Sequence, residues 1–322
     1  MHTVLKKQQE YVALGAMSGS SLDGLDLALV RLRPVGETRF EFLKATTLAY
    51  PAALTERLRH AELLNGRALT ELNVTYSHFL GKALRDFLSK CDLQPQIIGL
   101  HGHTLFHAPT PTERAHGYSL QLGCGQTIAA YLHVPLVTDF RAQDIALGGQ
   151  GAPLVPAGER ALFVNTRAFV NLGGIANIGL HPPFTEQPER VLGYDLAGCN
   201  QILNRLARAH DLALSYDEGG RIAATGQLHP PLLEALDTLD YYRQPPPKSL
   251  GNADLAALCT PEFERFTLPP ADQLHTFCAH LGWVIARALP QLPNGLCEPL
   301  LVTGGGAHNR FLMAHIRQAI SA

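Results

Sequence analysis

Three short apolar runs each hand the chain to a polar or glycine-rich loop and then to a helix-forming segment, and this constrains the fold more than any other feature. Gln96-Ile97-Ile98-Gly99-Leu100 delivers His101-Gly102-His103, and Val134 to Thr138 delivers Asp139-Phe140-Arg141. Leu300-Leu301-Val302-Thr303 delivers Gly304-Gly305-Gly306 ahead of a helical segment from Arg310 to Ala319. Strands that end this way ahead of helices build an α/β sheet, whose ligands sit at the strands' carboxyl ends. Leu69, Leu72, Tyr76, Phe79, Leu80, Ala83, Phe87 and Leu88 recur at three- and four-residue steps, the pattern of a helix laying one stripe on a core.

Two segments echo each other. Val12 to Leu29 and Ala168 to Leu180 both read strand, small-residue turn, strand. Glycine- and serine-rich turns can take positive φ and aim successive N–H groups at an anion, so two such hairpins could grip a polyphosphate in a duplicated domain; two ordinary hairpins are the plain alternative. Standard nucleotide fingerprints fail. Gly19 and Gly24 have Walker-type spacing, but Leu25-Asp26 stands where lysine and serine or threonine belong, and Gly123-Cys124-Gly125-Gln126-Thr127-Ile128 does not complete a dinucleotide motif.

At 322 residues the chain has room for about two domains. A formal charge of −2 gives no basic field for nucleic-acid phosphates. No apolar run approaches the roughly 20 residues of a membrane span, and Met1 to Gln8 lacks a secretory apolar region, so a cytoplasmic protein is expected. Six scattered cysteines without a C-x-x-C pair read as reduced, structural thiols.

Asp23 and Asp26 could hold Mg²⁺, a hard cation that selects carboxylate oxygens; a turn cap explains Asp23 as well, but Asp26 between Leu25 and Leu27 less readily. His101, His103 and His107 could ligate a metal, though polar contact with a substrate ranks higher. Arg141 could fork onto a carboxylate or phosphate, or pair internally with Asp139 or Asp144. Asp195 either caps the helix that carries Ile202, Leu203 and Leu206 or serves as a base; spacing does not decide.

Taken together, Met17 to Asp26, His101-Gly102-His103-Thr104, Asp139-Phe140-Arg141, Gly148 to Pro156, Asn171 to Asn177, Pro247-Lys248-Ser249 and Gly304 to Asn309 resemble, in order, the motifs of anhydro-N-acetylmuramic acid kinases. After Asp195, Leu196-Ala197-Gly198-Cys199-Asn200 replaces the glycine-proline pair usual in that family, while Asp195 and Asn200 remain. The resemblance implies an α/β fold of two RNase H-like, actin/hexokinase-type domains flanking an ATP cleft, residues 1–165 and 166–322, the second short at its C-terminus. It implies a kinase that opens 1,6-anhydro-N-acetylmuramic acid with water and phosphorylates O6, giving N-acetylmuramate 6-phosphate in cell-wall recycling; the alternative is a catalytically impaired nucleotide- or sugar-binding relative.

By the same matching, Asp195 is the base. Ser18, Gly19, Ser20, Ser21, Asp23, Gly24, Asp26, Asn171, Gly173 and Gly174 line the phosphates, Gly304, Gly305 and Gly306 the adenosine, and His101, Arg141 and Gln150 the sugar. Asp26 is the candidate Mg²⁺ ligand. Expected partners are an amino sugar, ATP and a second copy of the chain in a homodimer, with no nucleic acid and no membrane.

Overall fold

The computed structural model describes residues 10–19, 22, 24–33, 39–109, 116–163, 165–181, 191–250, 252–289 and 299–321. Ser20, Ser21 and Asp23 therefore lie outside the described residues. The chain divides into two compact units, Met1–Gly151 and Ala152–Ala322.

The first unit opens with an antiparallel meander of β1 (Tyr11–Ser18), β2 (Leu25–Leu32) and β3 (Phe40–Leu48). Helices α1 (Ala52–Arg59) and α2 (Gly66–Leu88) follow, and β4 (Ile97–Leu100) then joins β1 in parallel. A separate hairpin, β5 (His103–Ala108) and β6 (Tyr118–Leu122), precedes α3 (Gly125–Ala129), β7 (Leu136–Val137) and α4 (Phe140–Ala146). The sheet order is β3-β2-β1-β4-β7. Alternation along β2 sends Leu25, Leu27 and Leu29 into the core, where they meet Leu72, Tyr76, Leu80 and Leu84 of α2. The Asn65 side chain accepts from Ala68 N at 3.0 Å and so starts α2. Only Leu136 and Val137 of the strand expected over Val134 to Thr138 form a ladder, while the Pro135 carbonyl still accepts from Ile98 N.

The second unit begins with α5 (Val155–Leu162), earlier than the 165/166 boundary read from the sequence, because α5 packs on β9. There Gly179 leaves room for Glu159: a Cβ on it would sit 2.4 Å from Glu159 Oε2. Strands β8 (Ala168–Leu172), β9 (Ile175–Leu180) and β10 (Leu192–Gly198) form an antiparallel meander. Helices α6 (Asn200–His210), α7 (Arg221–Thr225), α8 (Pro230–Asp237), α9 (Asp240–Arg243), α10 (Asn252–Arg265) and α11 (Pro270–Ala288) follow. Then β11 (Leu300–Thr303) joins β8 in parallel and α12 (Arg310–Ser321) packs on α11. The order is β10-β9-β8-β11. Phe277, Leu281 and Ile285 of α11 fill the core with Val170, Ile178, Leu203 and Leu312. Each unit thus builds a three-stranded meander and adds a parallel strand beside its first strand, the RNase H-type plan.

The five described cysteines are free thiols. Burial pushes the Cys259 thiol up to about 11 and the Cys199 thiol up to about 12, so these two are inert packing groups.

Candidate active site

In the first unit the expected residues separate into inward and outward groups. Ser18, at the end of β1, is 2% exposed, and its Oγ lies 3.3 Å from His103 Nδ1. That hydroxyl is turned into the core. Gly19 O accepts from Leu22 N at 3.3 Å, closing a turn with Leu22 at φ 57°. Gly24 is a close-approach glycine, since a Cβ there would lie 2.6 Å from Leu48 O. Asp26, by contrast, stands exposed on β2 between Met17 and Thr47 of the neighbouring strands. Thr47 Oγ1 donates to its Oδ1 at 2.5 Å. It lines an open hollow of about 770 Å³ together with Met17, Thr47, Gly99, His101 and Phe140.

His101 and Arg141 meet. Asp139, in the left-handed region at φ 61°, turns the chain sharply from β7 into α4. Arg141 Nε and Nη2 then approach His101 Nε2 at 3.1 and 2.9 Å, and Arg141 Nη1 donates to Gly151 O at 2.6 Å. His101 Nδ1 faces Gly102 O at 2.9 Å. These contacts require the neutral tautomer: Nδ1 carries the proton and donates, and Nε2 accepts from the guanidinium. Burial, followed by the Arg141 charge, pulls the His101 pKa down to about 4. Asp144, one of the two acids considered as an internal partner for Arg141, accepts from Gly151 N at 2.7 Å, while its main-chain carbonyl takes Gly149 N at 2.8 Å. It thereby shapes the loop that holds the half-buried Gln150.

The other two histidines face separate protein groups. His103 meets Ser18, and His107 Nδ1 lies 3.2 Å from Ser119 Oγ. Among the described residues no cluster of three His, Cys, Asp or Glu side chains is placed to hold a metal.

Because the His101 pKa lies below its ordinary 6.5, the unfolded chain binds more protons than the folded one between about pH 6.5 and 4. His101 thus supports stability above pH 6.5 and withdraws that support as pH falls toward 4. A His101→Gln variant keeps an acceptor for Arg141 without titrating. Its melting temperature is expected to fall less than the parent's between pH 7 and 4.5; equal slopes would refute this account.

In the second unit, strand register assembles a polar row. Thr303 lies beside Asn171, Asn171 beside Asn177, and Asn177 beside Asp195, one residue from each of four strands. The flanking positions Val170, Ile178 and Tyr194 and Leu172, Ala176 and Ala197 are all buried. Register slips between Asp195 and Ala197, a bulge of the kind that re-aims side chains near sites. Asp195 belongs to β10, and the residue capping α6 is Cys199, so the helix-cap reading of Asp195 does not hold. Asp195 is 8% exposed, and its Oδ2 accepts from Leu250 N at 2.9 Å.

The glycines gather at the end of the same sheet. Gly304 has φ 83°, and a Cβ on it would fall 2.5 Å from Asn171 Oδ1 and 2.7 Å from Leu172 O; one on Gly306 would fall 2.7 Å from Leu172 Cβ. Asn200 Nδ2 donates to Leu172 O at 2.9 Å. Neither Gly173 nor Gly174 takes the positive φ expected of a phosphate-gripping turn. Their carbonyls instead accept from Cys199, Asn200 and Gln201 N at 2.9 to 3.2 Å, satisfying donors at the start of α6.

Sequence reasoning missed Tyr241, Leu250 and Thr303 as site neighbours, while Asn177 closes the Asn171 to Asn177 motif. A period-two reading from Asn171 and Asp195 marks their face of the sheet, but no local pattern joins Asp195 to Leu250, 55 residues away.

Two RNase H-type units in one chain, with polar and glycine-rich strand ends, define a protein of the actin/hexokinase-like fold class. Residues 10–322 match the family model described as anhydro-N-acetylmuramic acid kinase. A protein of that name from Vibrio vulnificus (strain CMCP6) is 33% identical over 320 residues, covering 96% of this chain and 83% of its own. Another from Saccharophagus degradans is 35% identical over 320 residues, covering 94% and 82%. The chain belongs to the anhydro-N-acetylmuramic acid kinase family.

Among solved structures, a ROK family glucokinase from Streptomyces griseus in complex with glucose and AMPPNP aligns with TM-score 0.39 at 12% identity, covering 96% of this chain and 88% of that one. A xylulose kinase from Rhodospirillum rubrum aligns with TM-score 0.37 at 11% identity, covering 95% and 84%. Among the described residues no helix is long and apolar enough to cross a membrane.

Proposed function

We propose that this chain transfers the γ-phosphoryl group of ATP to O6 of 1,6-anhydro-N-acetylmuramic acid while water opens the anhydro ring, giving ADP and N-acetylmuramate 6-phosphate. The supporting observation is the four-strand polar row that ends on Asp195, with Gly304–Gly306 packed beside its Asn171 member. Asp195 takes a proton from water as the water oxygen bonds to the anomeric carbon. The bond from that carbon to O6 breaks, and O6 attacks the γ-phosphorus as ADP leaves. A positioned base contributes about 10²–10⁴-fold, and phosphoryl transfer itself needs chiefly positioning and charge stabilisation.

Gly304 to Gly306 hold the adenosine. By the family matching, Gly19 and the Asn171 to Asn177 segment serve the phosphates and Arg141 and Gln150 the sugar, with His101 acting through Arg141. His101, neutral and bonded through both ring nitrogens, orients Arg141 and carries no proton for the chemistry. The exposed Asp26 carboxylate fits Mg²⁺, which is usually held by one or two carboxylates plus phosphates and neutralises charge on the moving phosphoryl group. Dependence on ATP fits a cytoplasmic enzyme of cell-wall recycling.

The test is a short incubation with ATP, Mg²⁺ and the anhydro sugar in ¹⁸O-labelled water. The product is expected to carry one ¹⁸O at the anomeric hydroxyl and phosphate on O6, above the solvent exchange of an unlabelled N-acetylmuramate 6-phosphate control. ATP turnover with neither mark would overturn the proposal in favour of an impaired relative.

A further inference from the structure

β10 is an outer strand of its sheet, and the stretch from Tyr241 in α9 to Leu250 places three hydrogen bonds on one residue of it. Tyr241 Oη donates to Asp195 O at 2.7 Å, and Asp195 N donates to Lys248 O at 3.0 Å. Both main-chain groups of Asp195 therefore point away from β9. In an antiparallel ladder that makes Asp195 and Asn177 a non-hydrogen-bonded pair, the kind whose side chains stand closer. Leu250 N donates to the carboxylate itself. The segment is also tied to itself: Lys248 Nζ donates to Tyr241 O at 2.8 Å and sits 4.5 Å from the centre of the Tyr241 ring. Burial, with the nearby Asp195 charge, pushes the Tyr241 phenol well above its usual range, so it remains a donor at every working pH.

We propose that Tyr241, Lys248 and Leu250 form a positioning strap that fixes the main chain and the carboxylate of Asp195 in one arrangement. The proposal rests on Asp195 being the base. An N–H directed at a carboxylate favours its charged form, and the Tyr241 and Lys248 bonds keep that N–H in register. None of the three touches the reacting atoms in this scheme; they act through Asp195. Three main-chain and phenol bonds on one residue remove the slack that lets a base drift, and a misplacement of about 1 Å costs on the order of 10²-fold in rate.

Tyr241→Phe separates positioning from simple support of the fold. It is expected to lower kcat by about ten- to a hundredfold with the KM values for ATP and sugar unchanged. The acid limb of the kcat profile should move to higher pH, since a slackened Leu250 bond raises the carboxyl pKa. A second readout needs no activity. The Leu250 backbone amide resonance should titrate with the Asp195 carboxyl, lose that titration in Asp195→Asn, and exchange faster with solvent in Tyr241→Phe.

Unchanged kcat, acid limb and Leu250 exchange in Tyr241→Phe would overturn the strap while leaving the kinase reading intact. A parent protein without sugar-dependent phosphorylation would overturn the kinase reading, and the Leu250 amide alone would then decide whether the strap exists. Should Tyr241→Phe fail to fold, Lys248→Met releases the Tyr241 carbonyl instead. It should change kcat and Leu250 exchange in the same directions to a smaller degree, and no change in either would overturn the proposal.

Discussion

Replacing Asp195 with asparagine is expected to cut sugar-dependent ADP release by about 10²–10⁴-fold while leaving ATP affinity within about twofold, because the loss is that of a general base and not of a binding group. Asparagine has the same shape as aspartate. Its side-chain oxygen can keep the 2.9 Å bond from Leu250 N, so the local structure survives and only basicity is removed. Asp195 is 8% exposed, and its replacement by a neutral amide removes a buried charge, so no large fall in melting temperature accompanies the loss of turnover. A coupled ADP assay and calorimetric titration with a non-hydrolysable ATP analogue check both halves. Turnover near that of the parent would remove Asp195 from the chemistry. Loss of nucleotide binding would make it a structural residue.

Gly304→Ala carries the second large effect, and here stability and nucleotide binding should fall together. The position combines φ 83° with the approach of Asn171 Oδ1 and the Leu172 backbone. A side chain held in the left-handed region costs about 1–3 kcal/mol, and backbone at 2.7 Å cannot move aside as the end of a flexible side chain would. In a unit of this size that lowers the melting temperature by several degrees, at roughly 2–4 °C per kcal/mol. Displacement of the 304–306 loop should raise the KM for ATP about tenfold or more, a shift of about 1.4 kcal/mol. Gly158→Ala is the control. Its position on α5 has open space, so alanine should leave ATP binding alone and stabilise the helix by about 1 kcal/mol or less. Equal behaviour of the two variants would show that close approach at Gly304 governs neither stability nor ATP binding.

Legibility in the sequence followed the range of each interaction. Helix α2 was readable because its stripe of Leu72, Tyr76, Leu80 and Phe87 is a local period, and its observed span encloses that stripe. The strands ending at Leu100 and Thr303 were readable from β-type runs that stop at histidine and glycine loops. The strand expected over Val134 to Thr138 shrank to two ladder residues, since Pro135 has no N–H to give. At the site, the His101–Arg141 contact joins two motifs that the sequence singled out separately. The inward Ser18 hydroxyl and the ordinary φ of Gly173 and Gly174 could not be foreseen, because composition shows which conformations a turn can take and not which one its neighbours impose. Here the neighbours were His103 and the start of α6. The bond from Leu250 to Asp195 has no local trace at all.

The parallel pairing of β8 with β11 also bears on how the chain is made. Ala168 finds its partner Leu300 only about 130 residues later, and at roughly 5–20 residues per second a ribosome needs on the order of ten seconds to supply it. Through that interval one edge of β8, with Ala168, Phe169 and Val170 destined for burial, stays open to pairing with other nascent chains. Yield of active protein should therefore depend on translation speed and chaperone supply more than the final stability would suggest.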